Sequence, residues 1–519
     1  MAKIISVSEA VDLIHNGMTV GISGFGAYAS PDSILEEIGK KFREQNSPRD
    51  LTIVSGVAPG DFDDNGCGMS KIADDGIVDT LIASHLRMSP PVGRAVSENK
   101  IAAYSMPLGV YGQLMAAIGG KRPGILTHVG LHTYADPRHE GCRINKRAKE
   151  QGREIVQLVQ VDGKDYLLYK SFHIDACILH ASYADECGNI SLQDEAVRGE
   201  LLELAAAVHN NGGIVIIEVK DIVKAGSLDP RHVLIHKSYV DYVVKAEKLD
   251  NIALAYNPGM IGDVRVPTEG RMKPMPLTYK KIISRRAALE LKKDYLVNLG
   301  IGIPDGVGNI ANEEGISDQI TLSLETGVYG GVPLGGPLFG AALNPDSISR
   351  SSDMFTTYDG GGLDMTVLGC AEIDPTGNVN VSRFSGRCVG PGGFINISQN
   401  TPKVCFAFGF TSGKQDIAIE DGRLVIRQDG SGLKFKKAVE HITFSSEYAR
   451  QTHQEVLFIT ERAVFRLIDG KIALTEIAPG VDLQTHILDK MEFQPEIAPD
   501  LKLMDERIFK DELMGLAED

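Results

Sequence analysis

No uninterrupted apolar run in the sequence approaches 18 residues, so no membrane-spanning helix is expected. The opening residues, MAKIISVSEAVDLI, lack the basic and apolar regions of a signal peptide. The seven cysteines are scattered, odd in number and never spaced CxxC. That spacing argues against a disulfide frame and a structural zinc, and for a reducing compartment. Positive charge is in deficit, with 53 Lys and Arg against 69 Asp and Glu, a formal charge of −16. Such a balance opposes nonspecific binding to nucleic acid or an anionic membrane, though local basic residues can still line a cleft for a small anion. The expectation is a soluble cytoplasmic protein with neither nucleic acid nor membrane as partner.

Familiar catalytic signatures are missing too. The sequence has no HExxH, no EF-hand loop and no clustered His/Cys ligands, so no metal is expected. It has no GxSxG elbow and no Walker A motif. His128, His132 and His139 share one segment, but their spacing suits a substrate-contacting loop better than a metal site. Cys370, Cys388 and Cys405 sit in or beside apolar stretches and read as buried small hydrophobes. "GFGAYA" (Gly24–Ala29) fits a loose dinucleotide fingerprint. The acid about 20 residues on, Asp50, precedes a strand rather than ending one, so the ribose-binding geometry fails. With no tryptophan to report binding, calorimetric titration with NAD would test that reading.

Glycine, by contrast, is plentiful: 56 residues, clustered in short loops rather than in a low-complexity tract. Between the loops, strands alternate with helices. Thr19–Ser23, Leu51–Ser55, Ala176–His180 and Ile214–Val219 read as buried strands, Asp32–Phe42 and Ala196–Asn210 as helices. This pattern predicts an α/β fold with mainly parallel sheets. A terminal helix is expected in "DERIFKDELMGLAED". An internal repeat runs through the chain. Gly24-Phe25-Gly26 matches Gly300-Ile301-Gly302, and "DACILHASYADECGNIS" (Asp175–Ser191) matches "DMTVLGCAEIDPTGNVN" (Asp364–Asn380). The two offsets are 276 and 189 residues, so the first copy holds about 87 extra residues between its signatures. The expected organisation is two related open α/β domains, 1–253 with an insertion around 80–164, a linker over 254–274, and 275–519.

The stretch "SLETGVYGGVPLGG" (Ser323–Gly336) ends a strand-like run on one carboxylate, Glu325. The bland reading is a strand end meeting solvent. The sharper one is a reactive carboxylate under backbone amides. In the aligned first copy Gly56 stands opposite, so the acid is peculiar to one half. Thr326-Gly327 and Gly330-Gly331 are expected to let backbone approach a ligand. The loops "GIGIP" (Gly300–Pro304) and "CVGPGGF" (Cys388–Phe394) offer further N–H groups. A desolvated carboxylate facing a thioester held by amides is a competent nucleophile, and the anhydride it forms keeps the energy of the acyl donor.

These residues resemble a known family. "VNLGIGIPDGV", "LSLETGVYGGVP", "YDGGGLD", "GPGGFINIS" and "ITERAVFRL", in order along nearly the whole chain, are similar to family I coenzyme A transferases. The likeness is to their single-chain acetate/propionate branch. The resemblance implies a CoA-transferase fold with fused α and β halves. It also implies Glu325 as catalytic nucleophile in a ping-pong exchange through an acyl-glutamyl anhydride and a glutamyl-CoA thioester. By the same resemblance, oxyanion and CoA contacts fall on Gly300, Ile301, Gly302, Ile303, Pro304, Gly392 and Gly393. Substrate-pocket contacts fall on Gly24, Phe25, Gly26, Ala27 and His132. No cofactor is implied, CoA being a substrate. The partners are acyl-CoA and short-chain carboxylates, and a homo-oligomer, dimer or tetramer, is expected. Where many relatives that use 3-oxoacids carry S-E-N-G, this chain has L-E-T-G (Leu324–Gly327), which favours the acetate/propionate branch. An acyl-CoA hydrolase on the same fold, a nicotinamide-dependent oxidoreductase and a non-catalytic ligand sensor are the alternatives.

Overall fold

Short aliphatic runs bounded by glycine, proline or aspartate form the strands, and the computed structural model describes them across residues 2–64, 66–247, 256–268 and 274–517. The chain folds into two compact units. One comprises Met1–Val266, Leu324–Thr356 and Ser385–Asn396, the other Pro267–Ser323, Thr357–Phe384 and Ile397–Asp519. Glu325 thus lies in the second half of the sequence yet groups with the first unit.

In the first unit the large sheet begins with β1 (Lys3–Ile5), β2 (Thr19–Ile22), β3 (Leu51–Val54), β4 (Val78–Ile82) and β5 (Ala102–Tyr104). An antiparallel sheet follows within 80–170, built from β6 (Gly124–Thr127), β7 (Val156–Val161) and β8 (Lys164–Lys170). The large sheet resumes with β9 (Ala176–Asp185), β10 (Ile190–Ser191), β11 (Ile214–Val223), β12 (Val233–Ile235) and β13 (Tyr242–Lys245). Its main order is β1-β13-β11-β9-β2-β3-β4-β5, parallel throughout. Helices α1 (Val7–Asp12), α2 (Asp32–Gln45), α3 (Pro90–Ser97), α4 (Leu108–Gly119), α5 (Lys146–Gln151) and α6 (Leu201–His209) connect the strands. Successive strands β2 to β5 step one way and β9, β11, β13 the other, so the order reverses between β2 and β9. Open α/β sheets form their ligand crevice at the carboxyl ends of the strands beside such a reversal.

The second unit repeats this order. β14 (Leu296–Leu299) and β15 (Thr321–Leu324) are followed outward by Met365–Leu368, Lys403–Ala407 and Glu455–Ile459, all parallel. They match β2, β3, β9, β11 and β13. Ala463–Ile468 and Lys471–Ile477 then continue the sheet antiparallel. The repeat extends to single hydrogen bonds. Asp175 accepts the Thr19 N–H at 2.8 Å, and Asp364 accepts the Leu296 N–H at 2.8 Å. The Asp185 carboxylate accepts the N–H groups of Cys187 and Asn189 at 3.0 and 2.9 Å, and Asp374 does the same for Thr376 and Asn378 at 3.0 and 3.1 Å. The D-x-x-G-N signature is therefore a carboxylate closing its own turn.

Two expectations are corrected. Ala196–Asn210 is helical only from Leu201, because Glu200 leaves the helical region at φ −114° and Ala196 and Val197 are buried as loop. Among its described residues the terminal segment makes only the 3₁₀ turn Glu506–Phe509. Side chains hold its backbone instead: Glu314 accepts the N–H groups of Met514, Gly515 and Leu516, and buried Arg285 donates to the carbonyls of Ile508, Lys510 and Glu512. Of the expected linker, 254–255 and 269–273 lie outside the described residues, and Asn257 caps a single turn at Pro258–Ile261. The duplicated turns yield a prediction. Asp185→Ala and Asp374→Ala should each lower the calorimetric midpoint by a few degrees, consistent with about 1–3 kcal/mol for hydrogen bonds to a charged group.

Candidate active site

At the carboxyl end of β2 the chain makes a tight turn, Phe25 and Tyr28 exchanging N–H···O bonds at 3.0 Å. Gly24 is required there: its φ is +136°, and a Cβ would fall 2.7 Å from Cβ of Pro59. The turn also touches the segment that carries Glu325. Phe25 packs on Phe339 with ring centres 5.9 Å apart, and the Tyr28 hydroxyl donates to the Leu338 carbonyl at 3.0 Å. Gly26 comes near the Phe339 carbonyl, and Ala27 is buried. A dinucleotide's pyrophosphate has no place here. Glu218 takes the Ile34 N–H of the first turn of α2 at 3.0 Å, and the buried Asp32 carboxylate begins that helix. One amide that a phosphate would use, the Ile34 N–H, is already taken by the protein's own carboxylate.

Glu325 follows β15, whose register against β14 is fixed on the Ser323 side by Asn298 Nδ2 donating to the Ser323 carbonyl at 3.1 Å. Its side chain is half-buried. Burial pushes its carboxyl up to about 7, and the Gly393 N–H, donating to the carboxylate, acts in the opposite direction. The Ser351 hydroxyl donates to the Glu325 carbonyl at 3.2 Å, and the Thr326 hydroxyl to the Gly340 carbonyl at 2.6 Å. The glycines that follow serve the chain itself, contrary to the expectation of room for a ligand. A Cβ on Gly327, at φ +106°, would stand 2.3 Å from the Ser349 carbonyl, and one on Gly331 2.3 Å from that of Leu343. They let the strand Val328–Tyr329 fold back against Ser347–Ile348.

The Gly390–Gly393 loop is seated on the ends of β4 and β5. Gly390 approaches Ser84 and Ser105 so closely that a Cβ would lie 2.1 Å from the Ser84 carbonyl. Gly392 donates to Ser84 and accepts from Leu108 at 3.2 and 3.1 Å. His85 Nδ1 lies 3.4 Å from the Gly390 carbonyl, so Nδ1 carries the hydrogen, and burial lowers its pKa to about 4. A neutral imidazole therefore flanks the loop, and a Cβ on Gly392 would clear its ring, at 3.8 Å or more. Gly393 presents its N–H to Glu325.

A second carboxylate joins this group without any sequence signal. Glu200 turns into a small cavity of about 10 Å³ lined in part by Ser23, Gly24, Phe25, Gly56 and Tyr111. Burial first, and the nearby Glu203 and Glu325 after it, push the Glu200 carboxyl up to about 7, while Ser351 lowers it through a hydrogen bond. The Ser351 hydroxyl, which donates to the Glu325 carbonyl, lies beside Glu200. Gly56 faces the same space, where a Cβ would meet Leu108, Tyr111 and Glu200 Oε2 at 3.2, 3.3 and 3.4 Å.

Gly300–Pro304 follows β14 in the second unit. There the Gly300 N–H is taken by the Val367 carbonyl at 2.8 Å and the Gly302 N–H by Asp305 at 2.9 Å, so these two amides serve the fold. Ile301 is exposed, and the Ile303 carbonyl accepts from Ser284 at 3.2 Å. His132 sits in a left-handed turn, its N–H held by buried Asp136 at 3.0 Å, and is not among the residues lining the cavity. Cys370 and Cys405 are buried with thiols pushed up to about 12, far from thiolate chemistry. Among the described residues no group of three His, Cys, Asp or Glu side chains could hold a metal, and no helix is long and apolar enough to cross a membrane.

Comparison with known proteins adds the following. Residues 4–246 match the family model described as Coenzyme A transferase. The chain is 42% identical over 525 residues to caffeate CoA-transferase of Acetobacterium woodii, covering 99% of each. It is 39% identical over 515 residues to acetate CoA-transferase YdiF of Escherichia coli strain K12, covering 99% of this chain and 96% of that one. The crystal structure of the apoenzyme of acyl-CoA transferase YdiF from E. coli O157:H7 superposes with a TM-score of 0.93 at 38% identity, covering 99% of this chain and 97% of the other. A thioester complex of the same E. coli enzyme with CoA superposes with a TM-score of 0.92 at 37% identity, with the same coverage.

Two predictions follow from the geometry. Because burial raises the Glu325 pKa, the folded state holds its proton longer than the unfolded chain. The group's contribution to stability therefore falls as pH rises from the ordinary carboxylate range through about 7. Glu325→Gln should raise the thermal midpoint at pH 8 and raise it less at pH 5. Gly327→Ala, forced to a positive φ against the Ser349 carbonyl, should lower the midpoint at both.

Proposed function

We propose that this chain, which belongs to family I of the coenzyme A transferases, moves CoA between a short-chain acyl-CoA and a small carboxylate such as acetate. Glu325 is the covalent carrier. The observation that carries this reading is the half-buried Glu325 beside the Gly390–Gly393 loop, its carboxyl raised to about 7 by burial and lowered in part by the Gly393 N–H. In water a carboxylate is a weak nucleophile, and desolvation beside a fixed donor makes it competent.

The Glu325 carboxylate attacks the thioester carbonyl, forming an acyl-glutamyl anhydride and expelling CoA thiolate. The thiolate attacks the glutamyl carbonyl, the C–O bond of the anhydride breaks, and the first acid leaves as its carboxylate. Glutamyl-CoA thioester remains. An acceptor carboxylate attacks its carbonyl and expels the thiolate. The thiolate then takes the new acyl group from the second anhydride and frees Glu325. Each step moves one electron pair to an oxygen or sulfur, and no net proton is needed. The amide N–H of Gly393 is placed to stabilise charge at the glutamyl group. The thioester complex described for the similar YdiF supports a covalent CoA intermediate here.

Acyl size is the finer question, since one similar protein is named for caffeate and another for acetate. The L-E-T-G stretch at Leu324–Gly327, unlike the S-E-N-G of relatives that use 3-oxoacids, supports the acetate branch. Incubation with acetyl-CoA should add the mass of CoA less one water to the wild-type protein and nothing to Glu325→Ala. Full activity in the alanine variant would overturn the assignment. The first half-reaction should accelerate as pH rises through about 7, where Glu325 ionises. In an acceptor scan acetate should outrun caffeate, and CoA release without any acceptor would point to a hydrolase instead.

A further inference from the structure

Three buried ionisable groups meet beneath the turn after β2, and the reaction above uses none of them. His180 on β9, Glu218 on β11 and Glu195 after β10 are each at most 2% exposed. His180 Nδ1 lies 3.4 Å from Glu218 Oε1, and Nε2 lies 3.8 Å from Glu195 Oε1. Glu195 Oε1 also accepts the Ser182 hydroxyl at 3.1 Å, so it meets the ring as an acceptor. A neutral imidazole carries a hydrogen on one nitrogen and a lone pair on the other, and here that lone pair would point at an anion. Only the imidazolium offers an N–H to both sides. Resting on the reaction proposed above, we propose that His180 is a positioning residue: held as an imidazolium between Glu195 and Glu218, it fixes the turn after β2 against the segment that carries Glu325.

A chain of contacts within the first unit leads from the ring to the nucleophile. Glu218 gives its other oxygen, Oε2, to the Ile34 N–H at 3.0 Å and so holds the first turn of α2. The His180 N–H donates to the Ser23 hydroxyl at 3.0 Å, and that hydroxyl donates to the Ala29 carbonyl at 2.7 Å, closing the neck of the turn. On the turn's other face Phe25 packs on Phe339. Gly340 fits between Phe25 and Thr326: a Cβ there would stand 2.9 Å from the Phe25 ring and 3.0 Å from Thr326 Cγ2. Thr326 adjoins Glu325. Without the imidazolium, Glu195 and Glu218 are two like charges out of water, and their repulsion falls on the Ile34 bond and on the turn.

Among the described residues the nearby cations are already paired. Lys220 on β11 holds Asp194 at 2.6 Å, and Lys71 holds Glu36 at 3.1 Å. From α2 comes a third acid, Asp32, whose Oδ1 accepts from Ser30 and Gly68. On α6, which also packs on β9, Glu203 turns to Arg350 at 2.8 Å and His209 stands edge-on to Tyr239. β2 and β10 bring no titratable side chain. Burial by itself would lower the imidazole's pKa, but Glu218 and then Glu195 outweigh it and raise the value. Burial raises the Glu195 carboxyl, and His180 is the first group to lower it again. The clamp is therefore intact below the ordinary histidine range and is lost as pH rises through the raised value.

Neutron diffraction from crystals of the whole enzyme in D2O near neutral pD reads the ring directly. Deuterons are expected on both Nδ1 and Nε2. The functional readout is the rate of CoA adduct formation from acetyl-CoA between pH 6 and 10. In the wild type it should rise as Glu325 ionises and fall at the alkaline end as His180 gives up its second proton. Glu195→Gln removes one of the two anions that hold that proton, so its fall should come at lower pH. At pH 9, with each enzyme scaled to its own rate at pH 7, the variant should retain on the order of tenfold less than the wild type. A single deuteron on the ring, or the second one on Glu195 instead, would overturn the proposal. So would a Glu195→Gln enzyme, folded by circular dichroism, with the wild-type pH profile. A wild type whose ring carries both deuterons but which forms no CoA adduct at any pH would overturn the underlying reaction instead.

Discussion

A carboxylate removed from water must be neutralised or compensated, and the site is built around that tension at Glu325. Burial alone would hold the group protonated and inert. The Gly393 N–H offsets part of the penalty, leaving the carboxyl poised at about 7. For that amide to face Glu325, the loop before it must lie flat on the ends of β4 and β5, which Gly390 permits by coming within a Cβ's breadth of the Ser84 carbonyl. The loop is anchored again where the Gly109 N–H donates to Asn396 Oδ1 at 3.1 Å. The glycine-rich loop is thus a positioning device for one donor.

Duplication explains why a single acid suffices. Gly56 and Glu325 occupy equivalent places after β3 and β15, and both fall within the first unit. At one the fold needs emptiness, because any side chain would press on Tyr111 and Glu200. At the other it needs a carboxylate. The copies have diverged into a wall and a nucleophile, while the structural aspartates Asp175 and Asp364 keep the same bond in each.

What could be read in the sequence divides along the range of the interactions involved. The D-x-x-G-N turns are closed by bonds within five residues, so spacing alone reveals them. The parallel strands announce themselves by aliphatic runs, and Glu325 by being a charge at the end of one. Glycines after Glu325 were legible as bare backbone but not as bare backbone facing its own chain, since that depends on Ser349 and Leu343. Glu200 was hidden for the same reason. A helical pattern covers it, and only the break at φ −114° turns it inward. The expected terminal helix failed against Glu314 and Arg285, partners some 200 residues away.

The same logic clarifies the glycine turn after β2. A strand, a glycine pair and a helix make an anion site by default, since the first amides of the helix lack partners. Here Glu218 lies fully buried beneath the turn and accepts the Ile34 N–H, and His180 Nδ1 stands 3.4 Å from the other Glu218 oxygen. Asp32 takes the Gly68 N–H at 2.7 Å and the Ser30 hydroxyl at 2.8 Å. A phosphate reaching the Ile34 N–H would have to displace the buried Glu218 carboxylate, an unfavourable exchange of one buried anion for another. With its anion site filled from within, the turn is free to act as a wall, and its Phe25 closes the cavity where Glu200 waits.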